Sequence, residues 1–324
     1  MNVTILGAGA YALSLAIKFN KNTKNIVVWS ALESEIDELS KTKMNKKALG
    51  NIIMPSNIVF TSDIKKALEN SKIVVIAVST KFVSSVCDTI KPYIKDKHII
   101  IASKGIEQNT CSFASDIVKT KLKTNKLCTI SGPSFAIDMA RDELVGLSLA
   151  TKNRKTKELV IKALSSNTLK LRVTNDFIGV ELCGTLKNII AVTSGILDGM
   201  NVSKSTKAMF LTESINDTRK LIKKFGGNEK TIMSFAGFGD IFLTSTSETS
   251  RNYSYGKLIG LKESNDKKDN YLKSNTVEGV YTLKSIYELI KKKKLDMPFI
   301  DLIYKVVFEN KSIDDILPFL KNKE

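Results

Sequence analysis

Histidine is almost missing from this chain: among 324 residues there is one, His98. That scarcity argues against histidine acid–base catalysis and against imidazole metal centres. Cysteine is scarce too. Cys87, Cys111, Cys128 and Cys183 include no Cys-x-x-Cys pair, so neither a zinc site nor a disulfide framework is expected, and no metal is. No apolar run approaches the ~20 residues that span a bilayer. The N-terminus lacks a basic region, and its first apolar run, Val3–Leu6, is too short for a secretion signal. No membrane insertion is expected, and the cytoplasm is the expected compartment. Acidic residues are outnumbered, 33 against 50 Lys and Arg, for a net charge of +17. The lysines are spread along the chain without a helix-turn-helix, zinc-finger or aromatic RNA-binding pattern, so no nucleic-acid partner is expected. A positive field would still attract a small anion.

What is present is a regular alternation. Apolar runs rich in Val and Ile occur at Val3–Leu6, Ile26–Trp29, Ile73–Val78, His98–Ser103, Leu127–Ile130 and Leu147–Ala150, with Leu169–Thr174 a further candidate. Such runs suit strands buried on both faces. Helical patterns lie between them, as at Ala12–Phe19 and Ile64–Leu68. Strand and helix in alternation predict a doubly wound, mainly parallel sheet. After Ile178 the pattern changes to helices only: Ile178–Met200, Ser205–Phe225 with Gly226 beyond its end, Thr282–Lys293, Pro298–Glu309 and Ser312–Lys321. Glu263–Asn275 reads as a polar connection. The expected architecture is an α/β Rossmann-like domain over residues 1–176 and an all-α domain over residues 177–324. Single cores stop growing at roughly 250–300 residues, which also favours two domains.

Gly7-Ala8-Gly9-Ala10-Tyr11-Ala12 follows the first strand and opens the first helix. This is the G-x-G-x-x-A dinucleotide fingerprint in its expected context. Gly7 permits the tight turn, Gly9 lets a pyrophosphate approach the backbone, and Ala12 allows close helix–strand packing. The second strand ends Trp29-Ser30-Ala31. It offers neither the acid that reads the ribose of NAD nor an Arg for NADP, and Glu33 falls in the next helix, so NAD(H) or NADP(H) remains open.

Reduction of a carbonyl needs a proton donor. His98 opens a buried strand, and the Tyr-x-x-x-Lys spacings at Tyr93–Lys97 and Tyr253–Lys257 lack their fold context. Lysine remains. Lys187 sits in an apolar helix with Gly184, Ala191 and Ser194 at helical spacing, a bare face that admits a ligand. By itself it would read as a snorkelling helix-edge lysine. Lys104 lies just beyond the strand His98–Ser103, where ligands meet such sheets.

Further segments follow in order: Ser103-Lys104-Gly105-Ile106-Glu107, Ser131-Gly132-Pro133-Ser134-Phe135-Ala136, Glu181 to Asn188, Ala236-Gly237-Phe238-Gly239-Asp240, Thr244-Ser245-Thr246-Ser247, Ser250-Arg251-Asn252 and Val277-Glu278-Gly279-Val280. In this order and spacing the chain resembles the NAD(P)-dependent glycerol-3-phosphate dehydrogenases of the soluble bacterial type, from residue 3 to about residue 282. The resemblance implies a Rossmann-like domain followed by a helical one. It also implies reversible reduction of dihydroxyacetone phosphate to sn-glycerol 3-phosphate, the phospholipid backbone precursor. It makes Lys187 the catalytic acid/base, with Lys104 binding and polarising the substrate and Asp240 orienting Lys187 or a hydroxyl. Gly132, Ser134, Ser250, Arg251 and Asn252 then fall on the substrate side. Gly7, Gly9, Ala10, Tyr11, Ala12, Lys104, Ala136, Arg251 and Glu278 fall on the cofactor side. Three positions depart from the family pattern: Ser30-Ala31 where an Arg is usual, Ser79 for a Pro, and Cys183 for a small residue. A small phosphorylated substrate and a homodimer are the expected partners, closed two-fold pairs being the commonest assembly. A related lysine-dependent keto- or hydroxy-acid reductase of the same plan is the alternative. A catalytically silent NAD(P)-binding sensor is a third reading, opposed by the presence of Lys104, Lys187 and Asp240.

Overall fold

The computed structural model describes residues 1–108 and 110–323. It divides into two compact units, one of residues 1–104 and 113–180, the other of residues 105–112 and 181–324. The short excursion Gly105–Ser112 belongs with the second unit, which no composition shift in the sequence announces.

The first unit holds one eight-stranded sheet: β1 (Asn2–Leu6), β2 (Asn25–Trp29), β3 (Ile58–Thr61), β4 (Ile73–Ile76), β5 (His98–Ile101), β6 (Leu127–Ser131), β7 (Val145–Ala150) and β8 (Leu169–Thr174). Their order across the sheet is β3-β2-β1-β4-β5-β6-β7-β8. Every pairing is parallel except β6 with β7. The chain reverses direction of winding between β1 and β4, the switch point at which open α/β sheets take ligands. Register aligns the strand ends: Leu6 pairs with Trp29 and with Ile76, and Ile76 with Ile101. The residues just beyond those ends therefore emerge on one edge. The helices are α1 (Ala10–Asn20), α2 (Glu33–Thr42), α3 (Lys46–Leu49), α4 (Ile64–Leu68), α5 (Val83–Ile90), α6 (Ala114–Leu122), α7 (Ala136–Ala140) and α8 (Arg154–Leu164). Leu13, Leu15, Ala16 and Phe19 of α1 share a core with Val3, Ile5, Val28, Val75 and Leu147 of the sheet and Val160 of α8.

Two ionisable residues enclosed in this unit, Lys18 and His98, are each bonded. Lys18 of α1 donates to Asp142 Oδ1 and Thr168 Oγ1, both at 2.9 Å, fixing α1 to the turns that precede β7 and β8. Lys21, Thr168 and Lys18 together hold the Asp142 carboxyl well below the usual carboxylate range. His98 meets Thr156 Oγ1 through Nδ1 at 2.8 Å, and that hydroxyl donates onward to Asn153 Oδ1. The network assigns the Nδ1 proton to His98. Burial, with Lys72, Lys126 and Lys155 nearby, pushes its pKa down.

The second unit contains no strand among the described residues. Its helices are α9 (Phe177–Gly199, which begins in the first unit), α10 (Lys204–Lys224), α11 (Asp240–Ser245), α12 (Arg251–Gly260), α13 (Asn265–Ser274), α14 (Glu278–Lys292), α15 (Pro298–Phe308) and α16 (Ile316–Lys321). Among the described residues, α9 is the one helix long and apolar enough to cross a membrane, but its most apolar stretch is 94% buried inside the protein. It crosses α12 at glycines. A Cβ on Gly195 would strike the Tyr253 carbonyl, and one on Gly256 the Val192 carbonyl. Tyr287 of α14 stacks on Tyr304 of α15 with centroids 3.7 Å apart.

Two sequence expectations are corrected. Glu263–Asn275 is not merely a connection: it contains α13, capped by Ser264, whose side chain accepts from Lys267 N. This helix buries none of its residues, so it shows no apolar stripe, and Tyr271 ties it down by stacking on Tyr255. Strand β3 was not anticipated. It is a four-residue edge strand of alternating burial, too short for its periodicity to register.

Candidate active site

The first unit assembles its candidates on the strand-end edge. Gly7 has φ +118°, and a Cβ there would lie 2.8 Å from the Ala77 carbonyl at the end of β4. Gly9 is exposed with nothing within 4 Å of a Cβ position. No side chain caps α1, whose first N–H groups, from Ala10, Tyr11 and Ala12, open beside that clearing. A turn closed tightly behind and open in front suits a pyrophosphate on a helix N-terminus. Tyr11 Oη lies 3.2 Å from Ser134 Oγ, and Ser134 donates to the Gly132 carbonyl at 3.0 Å. The Lys104 ammonium stands 5.3 Å over the Tyr11 ring. Lys104 is placed from behind: Thr80 Oγ1 donates to its carbonyl at 2.7 Å, and Ser103 Oγ donates to the Val78 carbonyl. Gly132 packs too closely on Gly146 and Leu147 to accept a side chain. Ala136 opens α7 and is half-buried.

The second unit brings together Lys187, Asp240 and Thr244. Lys187 Nζ donates to Asp240 Oδ1 at 2.7 Å, with both side chains buried. Thr244, one turn beyond Asp240 on α11, lies 3.4 Å from the ammonium and donates to the Asp240 carbonyl at 2.6 Å. The carboxylate offsets the cost of burying the ammonium, and the hydroxyl restricts where both can sit. Beside them, Asn252 Nδ2 donates to Asn188 Oδ1 at 3.0 Å, and Asn188 Nδ2 to Glu278 Oε2 at 3.4 Å. The Gly279 N–H donates to Asn252 Oδ1 at 2.8 Å, so α9, α12 and α14 meet through one amide. Ser250 caps α12 by accepting from Tyr253 N. Arg251 follows at the first helical position, exposed and without an ion pair among the described residues.

Sequence reasoning did not assign roles to Thr80, Asn188 or Thr244. Thr244 has a legible signal, since it stands four residues after Asp240 and so shares its helix face. Thr80 has none, because its bond to the Lys104 backbone joins loops 24 residues apart. No cluster of three or more His, Cys, Asp or Glu that could hold a metal occurs among the described residues. Cys87, Cys128 and Cys183 are buried. Burial pushes the Cys128 thiol far up, leaving it inert at neutral pH.

Known proteins carry the same plan. Residues 2–157 match the NAD-dependent glycerol-3-phosphate dehydrogenase N-terminus, and residues 176–318 match the C-terminus of the same family. A glycerol-3-phosphate dehydrogenase [NAD(P)+] of Thermoanaerobacter is 36% identical over 314 residues, 96% of this chain and 94% of the relative. One from Fusobacterium nucleatum is 33% identical over 315 residues, with the same coverage of 96% and 94%. The crystal structure of glycerol-3-phosphate dehydrogenase from Coxiella burnetii superposes with a TM-score of 0.93 at 27% identity, covering 99% of each chain. With an uncapped glycine turn of phosphate-binding form in the first half, a buried lysine–carboxylate pair in the second, and family models matched across both halves, the chain belongs to the NAD-dependent glycerol-3-phosphate dehydrogenase family.

Proposed function

We propose that this chain catalyses reversible hydride transfer between NAD(P)H and dihydroxyacetone phosphate, giving sn-glycerol 3-phosphate for phospholipid synthesis. The observation that carries the reading is the buried Lys187 ammonium held 2.7 Å from Asp240 in a member of this family. When bound, the reduced nicotinamide supplies a hydride to the substrate carbonyl carbon. Lys187 gives a proton to the carbonyl oxygen as its charge develops, and is then reprotonated from solvent. Asp240 and Thr244 hold the ammonium in one place, which removes the cost of orienting it during the reaction. Lys104 polarises the carbonyl, and Gly132 and Ser134 support the substrate. Ser250, Arg251 and Asn252 serve the phosphate. An exposed guanidinium at a helix N-terminus is unfavourably placed for the helix dipole, and a phosphate dianion supplies the missing partner. Ala136, Arg251 and Glu278 serve the cofactor, as do the residues of the glycine turn. The enzyme acts in the cytoplasm as a homodimer, which light scattering of the purified chain tests directly.

Replacement Lys187→Ala tests the assignment. It should lower kcat by about 10²- to 10⁴-fold while the cofactor dissociation constant stays unchanged. Near-normal turnover in this variant would reject Lys187 as the proton donor.

A further inference from the structure

The end of β2 carries a built carboxylate. Ser30 is the first residue beyond the strand and is 6% exposed. Its backbone N–H donates to the Thr61 carbonyl, and its Oγ accepts from Leu32 N at 3.2 Å, closing the loop into a turn. The same hydroxyl donates to Glu35 Oε2 at 2.8 Å. Glu35, in the first turn of α2, is thereby folded back against the strand end and is half-buried, whereas Glu33 is exposed. This strand end is bonded to the phosphate-binding turn, since Gly7 N donates to the Trp29 carbonyl at 2.7 Å. From Ser30 to Ser40 the chain has Glu33, Glu35, Asp37 and Glu38 and no Lys or Arg. Two cations of this region are engaged elsewhere: Lys43 donates to the Ile58 carbonyl and lies over Phe60, and Lys66 pairs with Asp63.

We infer that Glu35, fastened by Ser30, makes this chain select NADH over NADPH; the inference rests on the dinucleotide reading of the glycine turn. A carboxylate at the end of the second strand accepts hydrogen bonds from ribose hydroxyls. A 2′-phosphate brought to the same place meets a like charge without a guanidinium to neutralise it. An acid in the first turn of a helix also suits the helix dipole, so the test separates charge from capping. Glu35→Gln keeps a hydrogen-bond partner for Ser30 and removes only the charge.

The experiment is an equilibrium titration of the full chain with NADH and with NADPH, read by nicotinamide fluorescence, beside thermal melts of each variant. The wild type should bind NADH at least about tenfold more tightly than NADPH. Glu35→Gln should bring the two within about threefold, and Ser30→Arg combined with Glu35→Gln should reverse the order. Equal or tighter NADPH binding by the wild type overturns the inference, as does an unchanged ratio in a folded Glu35→Gln variant. Should that variant not fold, the wild-type ratio decides. Binding of neither nucleotide overturns both the dinucleotide reading and the inference. NADH binding without reduction of dihydroxyacetone phosphate would refute the substrate alone.

Discussion

At Lys187 a charge is kept in a nearly dry place. Asp240 makes that possible, and removing it should expose the cost. Asp240→Ala removes the carboxylate from a buried ammonium and should destabilise the protein by about 3–5 kcal/mol, measured by denaturant unfolding. Asp240→Asn keeps an oxygen near Lys187 and should lose less stability but comparable activity, because the ammonium is no longer held by charge. Equal stability of wild type and Asp240→Ala would show that the pair does not bear on the fold. The bare helix face at Gly184, Ala191 and Ser194 drew attention to this lysine in the sequence, but by itself it read as a snorkelling helix-edge residue, and only the ordered family motifs singled it out. Its partner was legible only through the ordered family motifs, because 53 residues separate Lys187 from Asp240 and no local pattern links them. Thr80 and Asn188 show the limit. Both act through bonds to distant backbone or amide groups, and those pairings exist only once the chain is folded.

At the scale of elements, buried parallel strands declare themselves by composition, and β1, β2, β4, β5, β6 and β7 all coincide with Val- and Ile-rich runs. Edge strand β3 and surface helix α13 do not, since neither has a continuous apolar signature. The helix crossing that carries Lys187 is also written in glycines. Gly195-x-x-x-Gly199 in α9 and Gly256-x-x-x-Gly260 in α12 permit backbone-to-backbone approach, and a Cβ at any of the four would meet the opposite helix. Gly256→Ala should therefore force the helices apart and cost about 1–3 kcal/mol, seen as a lowered Tm. Because α9 presents Lys187 and Asn188, turnover should fall with it. A variant as stable and active as wild type would mean that the crossing tolerates the added methyl by a shift the site does not feel.

For the molecule as a whole, one histidine gives an isolated pH window. His98 is buried and bonded as the neutral ring, with its pKa lowered from 6.5. Below about pH 6.5 the unfolded chain takes up a proton that the folded chain resists, so proton uptake favours unfolding. Its contribution to stability is complete above that pH and is lost as pH falls toward the folded value. Asp142, lowered from 3.8, contributes with the same sign only at more acid pH. Stability should thus decline as pH falls below about 6.5 in the wild type and stay flatter in His98→Gln, as followed by unfolding at fixed denaturant. Identical profiles would remove His98 as the cause. The activity itself is tested most directly by mixing the purified chain with dihydroxyacetone phosphate and NADH, with NADPH in parallel, and following nicotinamide absorbance. The expected result is rapid loss of absorbance that depends on the phosphate ester and is faster with NADH. Tight binding of the nucleotide with no loss of absorbance on adding dihydroxyacetone phosphate would contradict the assignment of this reaction to the chain.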